Sequence, residues 1–313
     1  MKDPPVSDFV DADIAGQHAV ITGATGGLGS HIADALAGAG AHLTLAVRNT
    51  TRGHELADRL WQHHPDAQLA VLELDLTSSE SVERAATELT GKSQRIDVLI
   101  NNAGIMVPPK RFTSDGFELQ MASNHLGHFA WTARLWPLLR ESSSRVVTVS
   151  SLAHATVRGI DLDVLTPLGS RRRYGRWSAY GQSKLANLLF AAELDRRVRV
   201  AGAPVVSVAA HPGIAVTNLT STGPALGGFQ FPWKVVDWGA RLIGQTAGMG
   251  ARPILMAATE PDVTGGTYFG PAGVGQLRGH PRRVGMSKAA RDSHAGAELW
   301  HVSEKAAGVR FNM

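Results

Sequence analysis

A tyrosine and a lysine lie four residues apart in the stretch AYGQSKLAN, which covers residues 179–187. Small and apolar neighbours predict a helix here, so that Tyr180 and Lys184 lie over the same helix face. A free tyrosine titrates near about pH 10, and a neighbouring ammonium group favours the phenolate. The pair is therefore a candidate general acid and base, in which Tyr180 moves the proton and Lys184, together with a positively charged ligand, lowers the pKa of the phenol.

Other polar side chains are placed to join this chemistry. The run SRVVTVSS (144–151) predicts a strand that ends in two serines. Because side chains alternate along a strand, only one of Ser150 and Ser151 faces a site at its end. A hydroxyl there donates to an oxygen on which negative charge develops. Asn124 falls inside a predicted long helix over 117–139, where asparagine is a poor helix former, and its simplest role is a buried hydrogen bond.

A glycine-rich turn follows the first predicted strand, in VITGATGGLGSHIADAL. Gly23, Gly27 and Gly29 allow the backbone to approach a pyrophosphate closely, and the following helix offers unpaired N–H groups. The strand, turn and helix in succession are the context that a dinucleotide site requires. The sequence therefore predicts a bound dinucleotide.

The residues after the second predicted strand indicate which dinucleotide is bound. NAD sites place an acidic residue there for the ribose hydroxyl, whereas a basic residue accommodates the phosphate of NADP. This chain has AVRNTTR, with Arg48 and Arg52 and no acid. We therefore expect NADP(H) to be favoured over NAD(H). Asp75, at the end of the third strand, is expected to meet the adenine, with capping as its alternative role.

Short apolar runs alternate with helical stretches along most of the chain. Such alternation predicts a Rossmann-type, doubly wound parallel sheet with helices on both faces, in a single α/β domain over 1–313. The expected strands are 18–23, 42–48, 68–76, 95–104, 144–151 and 203–213. The expected helices are 28–36, 51–63, 78–89, 117–139 and 178–198.

Two segments stand outside this alternation. Residues 1–15 are expected to form an N-terminal extension. Residues 219–245 are a long insertion containing Phe231 and Trp233. The insertion is interpreted as a lid over an apolar substrate, with core packing or a subunit contact as the equal alternative.

Composition excludes several classes of protein. The 313 residues contain no cysteine, so there is no thiolate metal site and no cysteine nucleophile. The net charge of +4 is the balance of 31 basic and 27 acidic residues. Apart from a cluster at Arg171, Arg172, Arg173 and Arg176, the basic residues are dispersed and have no interleaved aromatics, which argues against nucleic-acid binding. No metal site is expected, because the histidines form no H-E-x-x-H motif. No apolar run is long enough to span a membrane, and the acidic N-terminal stretch MKDPPVSDFVDADIAG lacks the apolar region of a signal peptide, so a cytoplasmic protein is expected.

The motifs occur in an order that resembles the short-chain dehydrogenase/reductase superfamily. TGATGGLG, NNAG, Asn124 in SNHLGHF, VVTVSS, YGQSK and HPG follow one another over nearly the whole chain. VVTVSSLAH, AYGQSKLANLLF and AELWHVSEKAAG are similar to the retinol-dehydrogenase-like branch. The resemblance implies that Ser151, rather than Ser150, contacts the substrate, that Asn124 holds a proton-relay water, and that Lys184 also binds the nicotinamide ribose.

The motifs and the resemblance together predict the residues that contact the cofactor. Within the same motifs, Asn101 is expected to stabilise the sheet and His211 to be structural. Thr217 is expected to hydrogen-bond the carboxamide of the nicotinamide. The predicted contacts are Thr22, Gly23, Thr25, Gly27, Leu28, Gly29, Arg48, Asp75, Leu76, Asn102, Ala103, Gly104, Tyr180, Lys184, Pro212, Gly213, Ile214 and Thr217.

The expected activity is NADP(H)-dependent hydride transfer between nicotinamide and a lipophilic carbonyl compound or alcohol. Two alternatives remain open on the same fold. One is a carbon–carbon double-bond reductase, and the other is a non-catalytic dinucleotide-sensing protein. The expected partner is a small-molecule substrate, and the sequence leaves the oligomeric state open.

Overall fold

The computed structural model describes residue 10 and residues 14–93, 95–167, 174–215 and 245–313. Eight strands in these residues form one sheet in the order β3-β2-β1-β4-β5-β6-β7-β8. All neighbouring strands are parallel except β7 and β8, which are antiparallel. The chain moves outward from β1 to β3 and then returns to place β4 on the other side of β1. A crevice therefore opens beyond the carboxyl ends of β1 and β4, where ligands bind in such sheets.

The strands are short, and seven of them follow a helix or a long connection. Their bounds are β1 His18–Thr22, β2 His42–Val47, β3 Leu69–Glu73, β4 Val98–Asn101, β5 Arg145–Val149, β6 Val206–Ala210, β7 Tyr268–Pro271 and β8 Pro281–Arg283. The helices are α1 Gly27–Gly38, α2 Thr50–His63, α3 Ser79–Lys92, α4 Leu119–Met121, α5 Gly127–Arg134, α6 Trp136–Glu141, α7 Arg176–Ala201, α8 Ala247–Thr259 and α9 Ser293–Ala307.

Local chemistry explains where several helices begin and end. The side chain of Asn49 caps α2 by accepting from Arg52 N, and that of Ser78 caps α3 by accepting from Ser81 N. Such caps satisfy amide groups that the first helical turn leaves unpaired. Helix α7 ends at Gly202, whose φ of 63° is a conformation that glycine adopts without strain.

Both faces of the sheet are covered by apolar helix surfaces. On one face α1, α2 and α8 contribute residues such as Ile32, Leu36 and Ile254. On the other face α3, α5 and α7 contribute residues such as Phe129 and Leu194. Because both faces are buried, the central strands β1, β2, β4, β5 and β6 are predominantly apolar rather than alternating, whereas the outer strands β3 and β8 are partly exposed. The predicted doubly wound α/β sheet is confirmed.

Helix α7 is buried along most of its length because α9 packs against its outer side. The contact is apolar and includes Leu188, Leu189 and Leu299. Beyond α9, the ring of Phe311 lies 4.5 Å from that of Trp300, between ring centroids. Residues 293–311 thus complete the apolar layer on this face of the sheet.

The structure differs from the sequence-based expectations in particular places. The helix expected over 117–139 is divided, with α4 followed by a π-helical turn at Ala122–Leu126 and then by α5 and α6. The predicted third strand ends at Glu73, so Asp75 does not close it. The expected extension at 1–15 and insertion at 219–245 lie almost entirely outside the described residues. Strands β7 and β8 and helices α8 and α9 were not anticipated.

Two properties concern the described residues alone. None of their helices has the length and apolar character needed to cross a membrane. Within the same part of the chain, no group of three or more histidine or acidic side chains is arranged to hold a metal ion.

Candidate active site

Tyr180 lies in the second turn of α7, at the carboxyl end of β5, and its side chain is only 6% exposed. The hydroxyl of Ser151 hydrogen-bonds the phenol oxygen. The neighbouring serine points elsewhere, since the Ser150 hydroxyl donates to the carbonyl of Lys184 at 2.8 Å. Ser150 therefore ties α7 to the end of β5, while Ser151 shares the cleft with Tyr180.

Lys184 lies one turn after Tyr180 and on the same side of α7. Its Nζ is 5.9 Å from the centroid of the Tyr180 ring and donates to the Val149 carbonyl at 3.1 Å. Burial lowers the pKa of Lys184 to about 8, because the ammonium group loses hydration.

The side chains by themselves do not make Tyr180 acidic, so the lowered pKa expected from Lys184 together with a positively charged ligand stays a prediction. Burial raises the pKa of Tyr180, and the hydrogen bond from Ser151 offsets only part of that rise. The helical spacing in the sequence indicates that Lys184 is near the phenol. It does not indicate how deeply the two groups are buried, and burial is the largest influence on both pKa values. The phenol is therefore protonated at neutral pH, which is the state of a proton donor.

Asn124 lies in the π-helical turn and is fully engaged in buried hydrogen bonds. Its Oδ1 accepts from Ile105 N at 2.8 Å, and its Nδ2 donates to Ile105 O at 3.0 Å and to Ser183 Oγ at 2.9 Å. The Ser183 hydroxyl in turn donates to the Tyr180 carbonyl. Asn124 thus connects the loop after β4 with the helix that carries Tyr180.

Thr22 and His128 form a buried junction that the sequence did not reveal. The Thr22 hydroxyl accepts from the backbone N–H groups of Asn102 and Ala103, each at 3.0 Å, and meets His128 Nε2 at 2.8 Å. His128 Nδ1 lies 3.0 Å from the Asn124 carbonyl, which can only accept, so Nδ1 carries the proton. Nε2 then accepts from Thr22, and burial lowers the pKa of His128 to about 4. The available signal was a histidine in an otherwise apolar helical stretch.

The glycine turn between β1 and α1 is tightly packed. Gly23 has a φ of 66°, and a Cβ on it would lie 2.9 Å from the Cα of Ala103. A Cβ on Gly29 would collide with the Gly23 carbonyl. Helix α1 begins at Gly27 with no side-chain cap and no acidic residue in its first turn. Its first amide groups are therefore available to a negatively charged ligand. Thr25 and Leu28 belong to the same turn and are partly exposed.

The glycine turn forms one wall of the crevice, and the residues after β4 form the other wall. Asn101 is buried and donates to Thr132 Oγ1 at 3.0 Å, which attaches the strand to α5. Asn102 Nδ2 donates to the Thr22 carbonyl at 2.9 Å, while its Oδ1 is buried without a hydrogen-bond partner. A Cβ on Gly104 would lie 3.3 Å from Asn124 Oδ1 and 3.5 Å from Lys184 Nζ. Gly104 thus keeps the approach to Lys184 open.

The remaining predicted contacts surround the same crevice. Arg48 is exposed immediately after β2. Asp75 Oδ1 accepts from Thr77 N and Thr77 Oγ1, so its carboxylate caps a turn, and the cap of α3 is Ser78. Leu76 is buried, and its carbonyl faces α5 so closely that Gly127 has no room for a Cβ.

The turn after β6 bounds the crevice on its far side. Gly213 has a φ of 65°, and its N–H donates to His211 Nδ1 at 3.1 Å. His211 Nε2 meets the side-chain Oε1 of Gln276 at 2.9 Å, so the ring joins the backbone of this turn to the Gln276 side chain. Pro212 and Ile214 follow in the same turn, and Ile214 N donates to Leu277 O at 2.8 Å. Thr217 lies outside the described residues.

These residues fit a nicotinamide dinucleotide. The glycine turn adjoins both the uncapped N-terminus of α1 and Asn102, whose buried amide oxygen has no hydrogen-bond partner. Glycines at the close approaches let the turn after β1 pack directly against the segment after β4. The cleft that holds Tyr180, Ser151 and Lys184 opens at the carboxyl ends of the same strands. Fold and site together define a dinucleotide-binding α/β protein with a proton donor beside the crevice.

Known proteins with similar sequences and structures make the class more specific. A family model described as short chain dehydrogenase matches residues 17–160. Retinol dehydrogenase 14 of Mus musculus is 37% identical over 311 residues, covering 94% of this chain and 86% of that protein. Retinol dehydrogenase 12 of Mus musculus is 33% identical over 306 residues, covering 96% and 89%. The solved structure of an uncharacterised protein from Mycobacterium paratuberculosis has 41% identity and a TM-score of 0.77, covering 96% of this chain and 98% of that one.

The chain belongs to the short-chain dehydrogenase/reductase family, in its retinol-dehydrogenase-like branch. It is an NAD(P)-dependent oxidoreductase that acts on CH–OH or C=O groups. The resemblance inferred from the motifs is thereby confirmed.

Proposed function

We propose that the protein interconverts a lipophilic alcohol and the corresponding aldehyde or ketone with NADP(H), and that Tyr180 moves the proton. The observation that carries this proposal is the placement of Tyr180, Ser151 and Lys184 in one buried cleft beside the glycine turn. A protein that only senses a dinucleotide has no need for these three groups together.

Each residue has a distinct role in the reduction. The Ser151 hydroxyl donates to the substrate oxygen and stabilises the charge that develops there. The protonated phenol of Tyr180 gives its proton to that oxygen, and the reverse reaction uses the same group as a base. A bound nicotinamide supplies the hydride and, when oxidised, a positive charge that favours the phenolate. The Lys184 ammonium, held by the Val149 carbonyl, would bind the ribose and favour the phenolate.

The choice of NADP(H) is supported by the residues at the end of β2. Arg48 is exposed at that position, where a guanidinium group pairs well with a phosphate. The acidic residue at the end of the neighbouring strand, Glu73, lies 3.4 Å from Arg84 in an ion pair. The Glu73 carboxylate is therefore engaged by Arg84. Among the described residues at the ends of β2 and β3, Arg48 is the charged side chain that we expect to contact the adenosine ribose and its phosphate.

An apolar substrate is supported by the surroundings of the phenol. Trp177 is 55% exposed, and its ring meets that of Tyr180 edge to face with 6.4 Å between centroids. A substrate carbon chain next to the reacting carbonyl would cover this ring. The related proteins are named retinol dehydrogenases, and retinol is a lipophilic alcohol. Phe231 and Trp233 are outside the described residues, so a lid over 219–245 stays a prediction.

The decisive experiment is a panel of carbonyl compounds and alcohols assayed with NADPH and with NADH, using the wild type and two matched variants. We expect Tyr180→Phe to lower kcat/KM about a thousandfold with cofactor affinity retained. Tyr174→Phe is the control, because it removes another tyrosine hydroxyl, which is partly buried and donates to Glu118 at 2.9 Å. Identifying the products separates carbonyl reduction from reduction of a carbon–carbon double bond. Full turnover in Tyr180→Phe would contradict the proposal.

A further inference from the structure

His154 belongs to the motif SLAH and is buried three residues after Ser151, in a 3-10 turn at Leu152–Thr156. Its ring bridges two backbone segments. Nδ1 lies 2.7 Å from the Ser151 carbonyl, and Nε2 lies 3.2 Å from Ser287 N. The His154 side chain therefore links the serine turn to the segment that precedes α9.

The two partners determine how the ring is protonated. The Ser151 carbonyl can only accept, so Nδ1 carries the proton. The backbone N–H of Ser287 can only donate, so Nε2 presents its lone pair. Burial lowers the pKa of His154, which keeps the ring in this neutral form. The ring is thus a directional bridge, with one donating end and one accepting end.

Aromatic packing holds the ring in this orientation. The His154 ring meets the Tyr268 ring edge to face, with 5.8 Å between centroids and an interplanar angle of 86°. Tyr268 in turn contacts the His211 ring at 5.1 Å. These rings come from the turn after β5, from β7 and from the end of β6. The position of the His154 donor is therefore set by three separate segments of the chain.

We propose that His154 is a positioning residue for Ser151, and that its Nδ1–H group orients the Ser151 backbone so that the serine hydroxyl stays on Tyr180. Ser151 is the first residue before the 3-10 turn, and its hydroxyl also accepts from Ala153 N at 3.2 Å. The hydroxyl is consequently balanced between the turn and the phenol, and the ring holds the carbonyl side of the same residue. This inference rests on the proposed function of Ser151.

Two amide variants separate the donating end of the ring from the accepting end. The amide nitrogen of His154→Asn occupies the place of Nδ1 and still donates to the Ser151 carbonyl. The amide oxygen of His154→Gln approaches the place of Nε2 and accepts from Ser287 N, so the Ser151 carbonyl keeps only the backbone N–H of residue 154, at 3.1 Å, as its donor. We expect His154→Asn to retain kcat within about twofold and His154→Gln to lower it about tenfold, with KM for NADPH unchanged in both. The melting temperature should fall in both.

The controls use a histidine with the same local bond outside the site. His54 Nδ1 lies 2.8 Å from Thr50 O on the exposed face of α2, so His54→Asn and His54→Gln should leave kcat unchanged. Rates are divided by the concentration of cofactor-binding sites, measured from NADPH fluorescence, so that a partly folded variant still yields a kcat.

The outcomes distinguish this inference from the proposed function on which it rests. Equal kcat values for His154→Asn and His154→Gln, whether both normal or both reduced, would overturn the positioning role. Ser151→Ala is assayed in parallel. If Ser151→Ala retained full kcat, the proposed role of Ser151 would fail, whatever the His154 variants show.

Discussion

The ammonium group of Lys184 is buried next to a backbone carbonyl and an aromatic ring rather than a carboxylate. Burial without an anionic partner lowers its pKa to about 8, so the group loses its charge more easily than a surface lysine. Lys184 alone therefore does not convert Tyr180 into a phenolate. The protein places the pair, and a positively charged ligand beside them would shift the phenol toward the phenolate.

The residue-scale prediction concerns the contact of Arg48 with the cofactor. Removal of its guanidinium in Arg48→Ala should lower kcat/KM with NADPH about tenfold or more and leave the value with NADH nearly unchanged, because a charge-assisted contact with the phosphate is lost. Arg59→Ala is the control, because it removes an exposed arginine from α2, the helix that follows Arg48. The measurement is steady-state kinetics with both cofactors. Parallel losses with NADPH and NADH would assign Arg48 no part in cofactor choice.

At this scale the sequence predicted side chains whose neighbours are close along the chain. Tyr180 and Lys184 share a helix turn, and Ser150 and Ser151 alternate at a strand end. The contact of Thr22 with His128 joins residues separated by 106 positions, and that of His154 with Ser287 joins residues 133 positions apart. Such contacts follow from the packing of the whole sheet, which the periodicity of one segment does not contain.

At the scale of elements, the π-helical turn at Ala122–Leu126 places Asn124 against the loop after β4. Periodicity predicted one helix over 117–139 because apolar residues recur throughout it. A π-helical turn inserts one residue and is common at functional sites, yet it leaves the apolar pattern almost unchanged. Periodicity also fails for β8, because a strand of three residues is too short to show an apolar pattern.

The element-scale prediction is that Asn124→Ala destabilises the fold by about 2 kcal/mol or more, because Ile105 N and Ile105 O lose a buried partner. Asn187→Ala is the matched control, since Asn187 is also buried and donates to Val149 O at 3.0 Å. Urea denaturation measures both free energies of unfolding. We expect the cost to be larger for Asn124→Ala. A cost no larger than that of Asn187→Ala would mean that the π-helical turn keeps its position without this side chain.

For the whole molecule, buried neutral histidines link the stability of the fold to pH. Burial lowers the pKa to about 3 for His125 and to about 4 for His128 and His211, against about 6.5 in an unfolded chain. Between these values the unfolded chain binds more protons than the folded chain, so stability falls as the pH falls. The stabilisation is complete above about pH 6.5 and is lost progressively toward pH 4.

We expect each of these histidines to cost about 2 kcal/mol of stability by pH 5. Urea denaturation at pH 8, 6.5 and 5 gives the free energy of unfolding at each pH. His128→Gln should reduce the dependence on pH, whereas His301→Gln, on an exposed position of α9, should not. A free energy of unfolding that stays constant from pH 8 to pH 5 would show that the buried rings take up protons without unfolding.

The packing of α9 and Phe311 over α5 and α7 has a consequence for biosynthesis. A ribosome delivers the chain from its N-terminus, so α5 and α7 emerge while residues 293–311 are still being added. During that interval the apolar side chains that later meet Leu299 and Trp300 have no cover. The nascent polypeptide is thus most exposed to aggregation in the interval between the emergence of α7 and that of α9.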